Sequence, residues 1–154
     1  MNLDKEKLKN FEKLPADVRR EFSLLMNQYG QKKKESRIKS DFISFVKHVW
    51  PDFIEGSHHK EVAKKFNEIA EGKVKRVIIN MAPRHTKSEF ASYLLPAWMV
   101  GRNPKLKIIQ STNTTELSVR FGRKAKALMD SPEYKEVFQT RLKEDSQAAG
   151  KWET

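Results

Sequence analysis

The stretch NMAPRHTKSEF, residues 80–90, is the part of the sequence on which the choice of fold depends. It follows the apolar run VKRVIIN and precedes ASYLLPAWMV. The β-branched run predicts a buried strand over residues 74–80, and the residues after it predict a helix. A strand, a tight loop and then Lys-Ser at a helix start are typical of a phosphate-binding loop, because N–H groups at a helix N-terminus point at a bound anion.

Both glycines of the usual loop pattern, G-x-x-x-x-G-K-[ST], are absent from this stretch. Met81 and Thr86 stand in their places. Glycine permits a positive φ and a close approach of the backbone, whereas threonine carries a steric penalty for both. The loop is therefore a phosphate-binding candidate whose backbone geometry is in question.

The side chains that remain suit a nucleotide. Lys87 would reach the β- and γ-phosphates, and the Ser88 hydroxyl would ligate Mg²⁺. Pro83 is rigid, and the Arg84 cation beside the site would attract phosphate. His85 is either a further phosphate contact or a solvated loop residue.

The pattern after Gly72 reads β-loop-α-β-α. LKIIQST predicts a second strand, and TTELSVRFGRKAKALMD predicts a long helix capped by Thr114. This order predicts an α/β fold of the P-loop NTPase type, with a parallel sheet and right-handed crossovers. Two strands are few for such a sheet, so we expect the fold to be incomplete and the sequence to be cut off.

The chain before Gly72 predicts helices. Residues 1–36 form a helical and basic N-terminal segment, and GQKKKESRIKS within residues 30–40 predicts a solvated linker or a contact with nucleic acid. Ser40 or Asp41 would cap a helix through FISFVKHVW, and Ser57 would cap HHKEVAKKFNEIAEG. We expect two domains, residues 1–36 and 37–154.

Charge and composition restrict the partners. The 154 residues carry a formal net charge of +11, which favours a polyanion such as nucleic acid, a phosphorylated ligand or an anionic membrane. The absence of cysteine excludes disulfides and thiolate metal sites. No stretch approaches the roughly 20 apolar residues of a membrane span, and the N-terminus lacks a signal-peptide core, so we expect a soluble, non-secreted protein.

Several segments together resemble one family. Trp50-Pro51, His58-His59, KRVIINMAPRHTKSE, LPAWMVGRNP, KIIQSTNTTELSVRFGRKAKALM and DSQAAGKWET look like the N-terminal ATPase half of a tailed-phage terminase large subunit, the DNA-packaging motor. The resemblance covers roughly residues 37–154. The family's loop commonly reads P-P-R-H-G-K-S-E, which lacks the first glycine as this chain does, so Thr86 is the one departure from it.

The resemblance implies an ASCE-type, RecA-like ATPase that couples hydrolysis of ATP with Mg²⁺ to translocation of double-stranded DNA into a procapsid. Lys87 and Arg84 would be catalytic, with Arg84 sensing the γ-phosphate, and Ser88 would bind the metal. The implied nucleotide-binding residues are Pro83, Arg84, His85, Thr86, Lys87, Ser88 and Glu89. A segment that often faces nucleic acid in the family corresponds to Ser111, Thr112, Asn113 and Thr114.

The resemblance also implies binding partners and a cellular location. The partners would be viral DNA, a portal protein and a small terminase subunit, with no membrane, in an oligomeric ring of the full-length protein in the host cytoplasm. The family's water-activating acidic pair and its nuclease domain are expected after Trp152, so we expect a fragment that hydrolyses ATP barely. The alternatives are a non-hydrolysing basic module that binds nucleic acid or a packaging partner, and another P-loop translocase or helicase.

Some residues have simpler interpretations. His58 and His59 suggest a metal site, but adjacent positions on a helix point about 100° apart, which favours capping or packing. Glu89 would complement the charge at the helix N-terminus. The basic residues of the last helix form either a solvated face or a DNA-tracking face; they are Arg120, Arg123, Lys124 and Lys126.

Overall fold

The computed structural model describes residues 14–142, and every regular element within them is helical. The chain divides into two compact units, Met1–Ser36 and Arg37–Thr154. The helices are α1 (Ala16–Ser40), α2 (Phe42–Val49), α3 (Ser57–Ala70), α4 (Lys87–Glu89), a π-helical turn (Phe90–Leu94), α5 (Leu95–Arg102), α6 (Thr115–Asp130) and α7 (Pro132–Val137).

The predicted α/β fold with a parallel sheet is wrong. Neither 74–80 nor 106–112 forms a strand, and residues 14–142 contain no sheet. Burial alternates along the first segment, where Val77 and Ile79 are half-buried while Ile78 is exposed. The segment is therefore not buried on both faces as predicted. A strand also needs a neighbour at ladder distance, and the two segments share no backbone hydrogen bond.

The linker predicted over residues 30–40 is also wrong, because α1 continues through it to Ser40. Lysine, glutamate and arginine are all good helix formers, so a charged run need not interrupt a helix. Gly30 alone disfavours helix there, by about 1 kcal/mol relative to alanine, which one residue in a long helix can absorb.

The remaining helix predictions within residues 14–142 are confirmed, with small changes at the caps, whereas the part of the N-terminal helical segment before residue 14 lies outside the described residues. Asp41 caps α2, since its carboxylate accepts from the Ser44 N–H at 3.0 Å. Thr114 caps α6 as expected, accepting from the Leu117 N–H at 3.3 Å. The cap of α3 is Gly56 rather than Ser57, which is the first helical residue.

Phe42 lies at the centre of the core of the second unit. Its ring is fully buried and meets Phe66 edge-on, with centroids 5.1 Å apart. Phe90 and Trp98 contact it at 5.4 Å each. These rings come from α2, α3, the π-helical turn and α5, so one aromatic cluster joins all four elements.

Buried polar groups of this core are satisfied by long-range hydrogen bonds. The Trp98 indole N–H donates to the Ile38 carbonyl at 3.0 Å, and the Tyr134 hydroxyl donates to the Ala97 carbonyl at 2.9 Å. Asn67 accepts from the Phe42 N–H at 2.8 Å and donates to Asp41 at 2.9 Å, which ties α3 to the start of α2. Each bond orients a packed side chain as well as satisfying it.

The helical run from Lys87 to Arg102 contains the π-helical turn just before Pro96. The Leu95 N–H donates to the Phe90 carbonyl, five residues back. Proline lacks an N–H, and its ring would collide with the preceding turn of an α-helix. The wider π-helical turn accommodates the proline ring, so the helical run continues. The buried side chains of Phe90 and Leu94 anchor the start of this run in the core.

Candidate phosphate-binding loop

The loop before α4 contains the two non-glycine residues with positive φ among residues 14–142. Arg84 has φ 65°, and Thr86 has φ 58° with ψ 10°. Both lie in the left-handed region, which is unfavourable for a β-branched residue such as threonine. Thr86 stands where the phosphate-loop pattern has glycine, and its backbone adopts a conformation that glycine would adopt without strain.

The backbone amides at the start of the run have no acceptor among residues 14–142. The first helical hydrogen bond is from the Phe90 N–H to the Thr86 carbonyl, at 2.9 Å. Within the described part of the chain, the N–H groups of Lys87, Ser88 and Glu89 donate to no acceptor. A left-handed residue followed by right-handed ones places successive N–H groups on one concave side, a geometry that binds anions.

The side chains around these amides are mostly cationic and accessible. Arg84, Lys87 and Ser88 are exposed, whereas Glu89 is half-buried. The Glu89 carboxylate lies 4.0 Å from the Lys124 ammonium of α6. It therefore faces the neighbouring helix, and the two cations beside the open amides have no ion pair with a described carboxylate.

His59 of α3 contacts this loop, a contact that the sequence analysis missed. Its imidazole is buried, and Nε2 lies 2.8 Å from the Thr86 hydroxyl. Nδ1 accepts from the Gly56 N–H at 2.8 Å, so the predicted capping role is confirmed. The Thr86 hydroxyl donates in turn to the His85 carbonyl at 2.7 Å. The one indication of this contact in the sequence was Thr86, because a threonine at a glycine position needs contacts that stabilise its backbone.

Three imidazoles lie together at this edge of the second unit. The ring centroids of His58 and His59 are 3.8 Å apart, and those of His58 and His85 are 5.5 Å apart. Burial lowers the pKa of His59 most, and the neighbouring His58 lowers it further; Glu55 opposes this, and His85 adds the smallest lowering effect. His59 is thus held in its neutral form at physiological pH.

His85 is turned toward its own loop. Its Nδ1 lies 2.9 Å from the Pro83 carbonyl. A carbonyl can only accept, so Nδ1 carries the proton and donates. The bond closes the turn around Arg84, and the side chains of Arg84 and Lys87 are exposed.

The second group of predicted contacts, Ser111 to Thr114, serves the start of α6. The Thr112 hydroxyl donates to the Thr114 carbonyl at 2.7 Å. No hydrogen bond between described residues joins this segment to residues 83–88. The predicted nucleotide-binding residues thus lie in one loop and helix start, whereas residues 111–114 lie at the cap of a separate helix.

Within residues 14–142, no group of three or more histidine or acidic side chains is placed to hold a metal ion, and the cluster of His58, His59 and His85 is no exception. Ser88 is the one residue predicted to bind Mg²⁺, and its exposed hydroxyl at the helix start fits a single ligand to a hydrated ion that phosphate oxygens also hold. None of the described helices has the length and apolar character to cross a bilayer.

Comparisons of the chain with protein families, curated proteins and solved structures find no match.

Proposed function

We propose that the loop of residues 83–88 binds the phosphates of ATP with Mg²⁺. The observation that supports this most directly is the set of open amides after Thr86, at the start of a helical run and beside two exposed cations. Amides so placed bind an anion without further rearrangement, and they complement the helix dipole. The loop chemistry needs no parallel sheet, since the buried Phe90 holds the helix start from the other side.

Each side chain has a role in this proposal. Lys87 neutralises the β- and γ-phosphates, Ser88 ligates Mg²⁺, and Arg84 contacts the γ-phosphate and senses its loss. Pro83 restricts the loop before Arg84, and Glu89 neutralises Lys124 rather than acting on the nucleotide. Bound Mg²⁺ would polarise the phosphoryl group for transfer to water.

The resemblance to terminase large subunits supplies the wider function that we propose. The chain would be the nucleotide-binding part of a viral DNA-packaging ATPase, acting on double-stranded DNA with a portal protein and a small terminase subunit. The excess of positive charge supports a polyanionic partner of this kind.

Isothermal titration calorimetry of the whole chain with MgATP tests the proposal. Lys87→Ala should weaken binding by about tenfold or more, because one charge-assisted phosphate contact contributes roughly 1.5–3 kcal/mol. Lys64→Ala, at an exposed position on α3, removes the same charge and should change affinity by less than twofold. Equal losses in the two variants would indicate unspecific attraction and contradict the proposal.

A second candidate function, binding of nucleic acid without hydrolysis, rests on a different surface. Arg123, Lys126, Lys135 and Arg141 line an open groove of about 670 Å³, and Asp130 is the one carboxylate among the described residues that line it. Cations along a groove bind a phosphate backbone with strong salt dependence. DNA binding that is unaffected by MgATP and by Lys87→Ala would favour this candidate.

A further inference from the structure

Thr86 raises a question that the phosphate-loop chemistry does not answer. A β-branched residue with φ 58° is strained, and the loop provides no side-chain cap of its own at this position. Strained residues persist only where their surroundings hold them. The contacts of the Thr86 side chain should therefore show what holds the loop in the anion-binding geometry.

Those contacts form a hydrogen-bond chain of fixed direction. The Gly56 N–H can only donate, so Nδ1 of neutral His59 must accept and its proton must lie on Nε2. Nε2 then donates to the Thr86 hydroxyl, which donates to the His85 carbonyl. Every donor has one acceptor, and every bond is between 2.7 and 2.8 Å.

The hydrogen-bond chain reaches the loop from the His59 side chain, which is packed rigidly. His59 is 6 % exposed, and its ring contacts Phe53 and Phe90 with centroids 4.8 and 5.2 Å away. The Nδ1 atom on the other side of the ring is fixed by the Gly56 N–H at 2.8 Å. The imidazole therefore cannot rotate away from Thr86 without disturbing packed aromatic rings.

The geometry points to His59 as a positioning residue for the phosphate loop: its Nε2–H holds the Thr86 hydroxyl and so keeps the loop backbone in the left-handed conformation that glycine adopts unaided. The inference rests on the proposed function for its effect on nucleotide, while its effect on the backbone does not depend on any ligand. His59 itself would contact neither the phosphates nor the metal ion. It acts through Thr86.

A double-mutant cycle with MgATP as the probe tests the effect on binding. His59→Ala should weaken MgATP binding about tenfold when Thr86 is present. In a Thr86→Gly background the same change should alter affinity by less than twofold, because glycine needs no support at positive φ. Equal losses in both backgrounds would show a general structural role and overturn the inference.

Two conservative variants separate the Thr86 contact from the cap of α3. His59→Gln places an amide donor near the position of Nε2, whereas His59→Asn places an acceptor near Nδ1 and reaches only Gly56. Glutamine should retain most of the affinity and asparagine should behave as alanine does. The reverse order would mean that the cap alone matters.

Measurements by NMR without ligand keep the inference separate from the proposed function. The ¹⁵N shifts of the His59 ring should show a protonated Nε2 and an unprotonated Nδ1, and a strong intraresidue HN–Hα NOE of Thr86 should report a positive φ that is lost in His59→Ala and kept in His59→Gln. A protonated Nδ1, or an unchanged NOE in the alanine variant, overturns the positioning role. Failure of the whole chain to bind MgATP, with these NMR results as expected, overturns only the nucleotide proposal.

Discussion

Thr86 shows how one residue can combine strain with a binding geometry. A non-glycine residue in the left-handed region costs roughly 1–3 kcal/mol. Two hydrogen bonds of the Thr86 hydroxyl, with His59 and with the His85 carbonyl, offset part of this free-energy cost. Thr86→Gly should therefore leave stability nearly unchanged, because it removes the strain together with its compensation.

The pKa of His59 makes loop stability depend on pH. Burial and two neighbouring imidazoles depress this pKa below 6.5, so on acidification the unfolded chain binds a proton at His59 before the folded chain does. The associated stability is complete above about pH 6.5 and is lost as the pH falls through the folded-state pKa. Protonation also destroys the Nδ1 acceptor of the Gly56 N–H.

We predict that the melting temperature of the native chain falls more between pH 7.5 and 5.5 than that of His59→Gln. Thermal unfolding followed by circular dichroism at several pH values measures the difference. His48, His58 and His85 are present in both proteins, so the comparison isolates the effect of His59. Parallel pH profiles would contradict a depressed pKa at His59.

At the scale of elements, α5 packs against α7 through its backbone. Gly101 of α5 lies so close that a Cβ would meet the Tyr134 hydroxyl at 2.6 Å and Cγ of Phe138 at 2.7 Å. The Tyr134 hydroxyl also donates to the Ala97 carbonyl, one turn earlier in the same helical run. A glycine in a helix, usually unfavourable, is here what allows the aromatic residues to approach.

Two glycine substitutions in helices should thus have opposite effects. Gly101→Ala should lower the free energy of unfolding by about 1–3 kcal/mol through overpacking. Gly30→Ala, in α1 with nothing within 4 Å of the added Cβ, should raise it by about 0.5–1 kcal/mol through helix propensity. Urea denaturation measures both, and stabilisation by Gly101→Ala would contradict the packing described.

At the scale of the whole molecule, the segments predicted as strands leave aliphatic surface in solvent. Ile78 is 90 % exposed and Ile109 is 97 % exposed, although both come from strongly apolar runs. The neighbouring Ile79 packs against the core. One side of the segment 74–80 therefore packs against the core, and its other side is exposed to solvent.

We predict that Ile78→Thr combined with Ile109→Thr lowers binding of the dye ANS, which reports accessible apolar surface, while the melting temperature changes by no more than about 2 °C. Ile79→Thr serves as the matched control in the same segment. It should lower the melting temperature clearly, since it places a hydroxyl against the core. A large loss of stability in the double variant would show that Ile78 or Ile109 is packed in solution.

Sequence reasoning located the helices and the helix start at Lys87, because these depend on neighbours in the chain. Capping residues and three-to-four spacing located α2, α3 and α6, and Lys87-Ser88 at a helix start was recognisable from eleven consecutive letters. The sheet was wrong because strand pairing depends on a partner elsewhere in the chain, which β-branched composition does not report.

The sequence by itself determined the helical periodicity, the positive charge and a cationic loop that lacks both usual glycines. Only the tertiary structure decided that residues 74–80 and 106–112 remain unpaired with each other, and that His59 supports Thr86 from 27 positions away. The physical reason is the same for both. Hydrogen bonds within a helix turn are local, whereas a ladder or a side-chain contact between distant residues forms only when packing of the core brings its two sides together.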